Sequence, residues 1–261
     1  MTRLPDRPLE DSRSDPSSIQ EAGYRFPYHY IPRTKADGMH QSVTLRWGYL
    51  YLSYLRFLVR RLEEYDFDSL LDVGCGDGRF LFEVAMKFPD VRLMGVDSSE
   101  RAILLARAMN PWAEFRCDDI TRPTQAHGSF DIVAMIEVLE HIPPAIMPAF
   151  VAAVHDRVAA GGRLIVTVPS HNLGMNPKHY QHFDLESLIR TVSPGFALAE
   201  SFHLNRKSRL PRMIDRLLTN RFVAVREPHL LAWWLGLYER RYLEATASSA
   251  MRICAVFTRT S

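Results

Sequence analysis

The side chains best suited to chemistry fall in two short stretches, Glu137-Val138-Leu139-Glu140-His141 and Lys178-His179-Tyr180-Gln181-His182-Phe183-Asp184, with Pro169-Ser170-His171 between them. In a helical turn, offsets of three and four bring Glu137, Glu140 and His141 close together. Two carboxylates and one imidazole, joined by a second imidazole from the later loop, make a four-ligand divalent site. Such a mixed set suits Zn, Mn or Fe(II) better than Mg, which prefers oxygen. A cation held there lowers the pKa of a hydroxyl and positions its oxygen. Without a metal, His141 is a general base by itself, since imidazole titrates at about 6.5. The plainest alternative is structural, with Glu140 and His141 satisfying backbone groups or the following loop.

A second grouping reads as a nucleotide site. The apolar run Leu70-Leu71 leads into Asp72-Val73-Gly74-Cys75-Gly76-Asp77-Gly78, with glycine at every second position, and a helical pattern follows from Arg79. Glycine lets the backbone turn sharply and approach a ligand with no Cβ in the way. A strand running through such a turn into a helix is the first half of a nucleotide-binding βα unit. Asp97, at the tip of the next strand, stands where a carboxylate accepts from ribose hydroxyls, and Ser98 or Ser99 then caps the following helix. The spacing Gly-x-Gly-x-Gly is tighter than the dinucleotide fingerprint and speaks against a nicotinamide dehydrogenase, which Asp97 alone would suit equally well.

These residues need a scaffold that alternates strand and helix. Strand-like runs stand at 69–73, 91–96, 113–117, 130–135, 163–168, 196–202 and 252–258, with helical patterns at 79–87, 99–109 and 145–159. That alternation predicts a doubly wound, Rossmann-like parallel α/β sheet covered on both faces, with the reactive stretches at the carboxyl ends of its strands. Gly161-Gly162 reads as a helix stop and turn before the fifth strand. Residues 1–20 read as a disordered polar lead, and 21–66 as an aromatic, then helical, N-terminal cover with Leu45, Tyr49, Leu52, Leu55, Leu58 and Leu62 at helical intervals. The main domain is expected over 67–261, interrupted by a helical insertion at 206–245 before the last strand.

With 32 Lys and Arg against 30 Asp and Glu, the formal charge of +2 advertises no global field for nucleic acid. The three scattered cysteines show no metal or redox spacing and read as reduced thiols of a cytoplasmic protein. In the insertion, Leu210, Met213, Ile214, Leu217 and Leu218 form an apolar stripe beside Arg206, Lys207, Arg209, Arg212, Arg216, Arg221 and Arg226, the pattern of a helix with one core face and one solvated face. The stretch 229–242, with Trp233-Trp234 and then Arg240-Arg241, is expected to pack on residues 45–62 as a lid; peripheral membrane contact is the alternative use.

The glycine turn resembles the first motif of the class I S-adenosylmethionine-dependent methyltransferases. The resemblance implies a seven-stranded sheet with a reversed last strand, and S-adenosylmethionine as cofactor. It implies Asp72, Gly74, Cys75 and Gly76 at the methionine end, Ser98 beside Asp97, and Asp119 with Ile120 at the adenine, Asp118 being the alternative to Asp119; Glu137 joins this wall. Glu-x-x-Glu-His followed by a later His is similar to the ubiquinone-biosynthesis O-methyltransferases and the small-RNA 3′-end 2′-O-methyltransferases. The matching metal positions are Glu137, Glu140, His141 and His182, with His179 competing for the last place, and Glu137, His141 and His182 as the catalytic set. The aromatic lead and the His-Tyr-x-His-Phe loop look similar to methyltransferases of bacterial glycan and natural-product pathways. That likeness implies a small hydroxylated acceptor such as a sugar or glycolipid, with Tyr24, Tyr28, His29 and Tyr30 closing over it. An RNA ribose methyltransferase and a non-catalytic cofactor-binding subunit are the alternatives.

Overall fold

The computed structural model describes residues 16, 33–35, 38–40, 45–122, 128–220, 223, 225 and 227–260. Apart from residue 16, the polar lead expected over 1–20 lies outside them, as do Tyr24, Tyr28, His29 and Tyr30.

Strands rich in branched and aromatic residues are the skeleton. In chain order the elements are β1 (Arg33–Lys35), β2 (Gly38–His40), α1 (Leu45–Leu62), β3 (Ser69–Val73), α2 (Arg79–Lys87), β4 (Arg92–Asp97), α3 (Glu100–Met109), β5 (Glu114–Cys117) and β6 (Phe130–Ile136). A single 3-10 turn (Leu139–His141) precedes α4 (Met147–His155), β7 (Val158–Pro169), α5 (Leu185–Val192), β8 (Phe196–Arg206), α6 (Arg209–Leu218), α7 (Pro228–Tyr242) and β9 (Ala250–Arg259). The main sheet has seven strands in the order β5-β4-β3-β6-β7-β9-β8. β5, β4, β3, β6 and β7 run parallel, and β9 is inserted antiparallel between β7 and β8. The expected sheet with its reversed last strand is the one observed. The two short strands β1 and β2 form a separate antiparallel hairpin that the sequence pattern did not signal, and β2 lies against α7.

Alternate residues of each central strand feed two cores, because successive side chains leave a strand on opposite faces. Leu70, Ile132, Ala134, Ile165, Cys254 and Val256 join the core under α1, α2 and α7. Leu71, Val73, Val133, Met135, Leu164, Val166 and Phe257 join the core under α4 and α5. A sheet buried on both faces explains why these strands read as almost continuous apolar runs. It also puts the rare polar residues of even parity, Asp72 on β3 and Arg252 on β9, on the α1 side.

The glycine pair at 161–162 departs from its expected place. β7 already begins at Val158, and the pairing with β6 jumps from Phe130↔Val158 to Ile132↔Arg163, so the glycines sit in a bulge inside the strand. Gly161 has φ +75°, and a Cβ on Gly162 would lie 2.8 Å from the Asp131 carbonyl oxygen, so both positions suit only glycine. The preceding helix accordingly ends at His155 rather than reaching 159.

Candidate active site

The turn after β3 is built from its own backbone. The amides of Gly74 and Cys75 both donate to the Val96 carbonyl, at 2.7 and 3.1 Å, and Gly76 donates to Asp97 Oδ2 at 2.9 Å. Asp97 Oδ1 accepts from the Ser99 amide at 2.9 Å, and the Ser99 hydroxyl caps α3 by accepting from Ala102. One carboxylate thus ties the glycine turn to the start of the next helix, and Ser99, not Ser98, is the cap. Gly74 has φ +73°, and a Cβ there would stand 2.6 Å from Val138 Cγ2. Both conformation and space therefore demand glycine.

Two cavities open at the carboxyl end of the parallel strands. The first, about 340 Å³, is walled by Val96, Asp97, Ser98, Asp118, Asp119 and Ile120. Asp119 turns Oδ1 inward to the amide and hydroxyl of Thr121, at 2.9 and 2.7 Å, while Asp118 is the more buried of the pair. The second cavity, about 300 Å³, is lined by Tyr51, Tyr54, Asp72, Glu140, His179 and Arg252 among others. Gly74, Glu137 and His141 belong to both walls. Asp72 is 2% exposed, its Oδ1 has no hydrogen-bond partner, and burial together with the nearby Asp97 charge raises its pKa well above the usual carboxylate range. A buried unpaired oxygen of this kind fits a ligand cation such as an ammonium group.

Glu137 does not continue into the turn that offsets of three and four require. It occupies the left-handed region at φ +57°, its amide held by the carbonyl and hydroxyl of Thr167 at 3.0 and 3.1 Å. Its Oε2 accepts from Arg252 Nε at 3.0 Å, while Oε1 is buried without a partner. Only Leu139–His141 form a helical turn. Glu140 is 1% exposed with Oε2 unpartnered, and burial, with Glu137 adding to it, drives its pKa up.

The later loop is pinned where it meets that turn. The Tyr180 amide donates to the Glu140 carbonyl at 2.8 Å, and His171 N and Phe183 N bond across to Phe183 O and Pro169 O, both at 3.1 Å. Asp184 closes the loop as a reciprocal cap of α5 with Ser187. His141 Nδ1 stands 2.9 Å from the Lys178 carbonyl, which only accepts, so Nδ1 carries the proton and Nε2 is bare. His182 Nε2 faces His179 Nδ1 at 2.9 Å. One proton is shared across that contact, so His182 orients the His179 ring. Burial lowers the pKa of all three imidazoles, that of His179 to about 3.

The ligand-capable atoms of Glu140, His141 and His179 lie within 4.8 Å of one another. Glu137 and His182 are outside that triad: the first faces Arg252, and the second stands behind His179 and orients it. Sequence reasoning did not find Arg252, Tyr51 or Tyr54. The signals available were an arginine near the start of a largely apolar strand and tyrosines within the apolar pattern of α1.

Residues 70–162 match the family model described as methyltransferase domain. The chain is 32% identical over 169 residues to a ubiquinone biosynthesis O-methyltransferase of Idiomarina loihiensis, covering 63% of this chain and 65% of that one. It is 30% identical over 118 residues to a trans-aconitate 2-methyltransferase of Deinococcus radiodurans, covering 45% and 44%. The chain thus matches less than two thirds of the length of either relative. Among solved structures, the N-methyltransferase NodS of Bradyrhizobium japonicum WM9, in complex with S-adenosyl-l-homocysteine, superposes with a TM-score of 0.54 at 16% identity over 82% of this chain and 88% of that one. Residues 70–162 thus match a methyltransferase domain, and the seven-stranded sheet around them has the fold of a solved methyltransferase.

Proposed function

We propose that this chain transfers the methyl group of S-adenosylmethionine to an oxygen of a small hydroxylated acceptor. The observation that carries the reading is the wall shared by the two cavities, Gly74, Glu137 and His141, across which a donor on one side meets an acceptor on the other. The residues present fit a cofactor that lies in the first cavity and extends past the shared Gly74 into the second: Asp118 or Asp119 with Ile120 for the base and Asp97 for the ribose in the first, Asp72 for its ammonium in the second. The cofactor supplies a methyl activated on a sulfonium. Methyl transfer is an in-line displacement, so the protein's part is alignment and removal of the acceptor proton. Tyr51 and Tyr54 offer flat apolar walls for the acceptor, and the bare His141 Nε2 faces the same space.

A divalent cation fits the Glu140, His141 and His179 triad, one carboxylate and two imidazoles that form a mixed donor set for Zn, Mn or Fe(II). When bound it would supply Lewis acidity toward the acceptor oxygen. His182 acts one shell out, orienting the His179 ring.

Elemental analysis of the purified protein, with calorimetric titration of S-adenosylhomocysteine, separates the parts of this reading. The expected result is stoichiometric metal in the wild type, none in His179→Ala, about ten- to a hundredfold weaker metal binding in His182→Ala, and cofactor affinity kept in both variants. Cofactor binding with no metal uptake after the ions are added back would remove the metal and leave His141 as the base. Methyl-labelled S-adenosylmethionine offered to sugars, phenols and hydroxy acids should label an oxygen; label on nitrogen or carbon only would overturn the O-methyl assignment. Gly74→Ala should destabilise the fold by about 1–2 kcal/mol before the Val138 clash is added, and the displaced turn should bind S-adenosylhomocysteine several-fold more weakly. Unchanged affinity would remove Gly74 from the cofactor wall.

A further inference from the structure

Helix α6 has three faces rather than the expected two. Advancing about 100° per residue, Pro211, Ile214, Asp215 and Leu218 turn inward. Asp215 is held there by the Tyr49 hydroxyl at 2.9 Å. Leu210, Met213 and Leu217, expected to share the core stripe, point outward and are 45, 55 and 68% exposed. Arg209, Arg212 and Arg216 are exposed along the remaining side. Among the described residues none of these three arginines pairs with a carboxylate. The tryptophan pair on α7 is split in the same way: Trp234 is buried edge-on against Tyr49, while Trp233 is 58% exposed beside exposed Leu230.

Charge follows the apolar stripe. Residues 206–241 hold nine Lys or Arg and three Asp or Glu, in a chain whose whole balance is only +2. All three acids are engaged elsewhere: Asp215 with Tyr49, Glu227 as the cap of α7, and Glu239 with Arg56 and Arg60 at 3.4 and 3.7 Å. The outward surface of the segment therefore combines exposed leucine and methionine with uncompensated arginine.

We propose that α6 docks this protein on an anionic lipid surface. Leu210, Met213 and Leu217 enter the headgroup–acyl boundary, and Arg209, Arg212 and Arg216 meet lipid phosphates. An amphipathic helix with a basic flank lies in the interface plane in this way. A partner protein matched only to the apolar stripe would leave the arginines unused, and a nucleic acid would leave the stripe wet. None of the described helices is long and apolar enough to cross a membrane, so the contact is peripheral.

Co-sedimentation of the full chain with vesicles tests this. Binding is expected to vesicles containing phosphatidylglycerol and to be at least tenfold weaker to pure phosphatidylcholine. Arg209→Glu/Arg212→Glu/Arg216→Glu should lose about a hundredfold or more, at about tenfold or less per neutralised arginine before the added negative charge counts. Leu210→Ser/Met213→Ser/Leu217→Ser should lose binding even at low salt. These side chains face outward, and retained S-adenosylhomocysteine affinity checks that both variants fold. The proposal is overturned if the wild type ignores anionic vesicles or binds both compositions alike. It is equally overturned if the serine variant binds as before, if the stripe instead drives a concentration-dependent dimer with no vesicle binding, or if an oligonucleotide is held tightly by wild type and serine variant alike.

Discussion

Asp72→Asn is expected to lose S-adenosylhomocysteine affinity by about a hundredfold while melting at a higher temperature than the wild type. Burial, with the Asp97 charge adding to it, lifts the Asp72 pKa well above its value in an unfolded chain. The folded protein therefore holds the proton more tightly, and the stability this group contributes is complete below the unfolded value and lost as pH rises through the folded value. Above that window an ionised Asp72 opposes folding, and a neutral amide of the same shape relieves the cost. In the role proposed for Asp72 the cofactor would reverse the balance, because an ammonium against the orphaned Oδ1 favours the ionised form. Breaking a buried charge pair costs about 2–5 kcal/mol of binding, hence the hundredfold loss. Wild-type affinity should rise with pH until Asp72 is ionised in the free protein, and the Asn variant should lack that dependence. Thermal melts with and without ligand, across pH, decide it. A variant that melts lower, or that binds as the wild type does, refutes the role given to Asp72.

The glycine turn, Asp97 and the Asp118-Asp119-Ile120 corner each depend on a single strand and the few residues after it; Gly74, Asp97, Asp118, Asp119 and Ile120 line the first cavity, whereas Asp72, Cys75 and Gly76 line the second. Family resemblance added the count of seven strands and the reversal of the last. The readings that shifted depended on partners distant in sequence. Glu137 was expected in a helical turn with Glu140, but the Thr167 anchors and the pull of Arg252 set it in a left-handed conformation beforehand. His179 and His182 cannot be ranked by spacing; the loop's attachment to Glu140 through Tyr180 brings His179 to the triad and leaves His182 behind it. The stripe on α6 failed for a related reason. Pro211 and Asp215, poor core candidates in a list of residue types, are the inward face because Tyr49 supplies a hydroxyl to the carboxylate.

Arg252→Met is expected to lower the melting temperature by about 6–12 °C and to be partly rescued by a second change, Glu137→Gln. Arg252 sits at the centre of a network that joins the helical cover to the site. Its Nε donates to Glu137 Oε2 at 3.0 Å, a terminal nitrogen reaches Asn205 Oδ1 at 3.4 Å, and the guanidinium lies 4.5 Å over the Tyr54 ring. Glu137 and Asn205, at φ +57° and +58°, are the two non-glycine residues with positive φ among those described, so one guanidinium holds both strained positions. Asn205 in turn donates to Ser53 of α1 and Tyr238 of α7, at 3.2 and 3.3 Å. Removing the cation strands a largely buried carboxylate, at about 3 kcal/mol, and each kcal/mol is worth about 2–4 °C in a domain of this size. Neutralising Glu137 as well removes the unpaired charge, so the double variant should melt above Arg252→Met. Arg252→Lys should fall between, keeping charge but losing the fork and the stacking on Tyr54. Because Glu137 lines both cavities, the same pair fixes a carboxylate in the wall they share. Strictly additive melting shifts for the Arg252 and Glu137 variants would show that the pair is not coupled and that Glu137 is held by Thr167 alone.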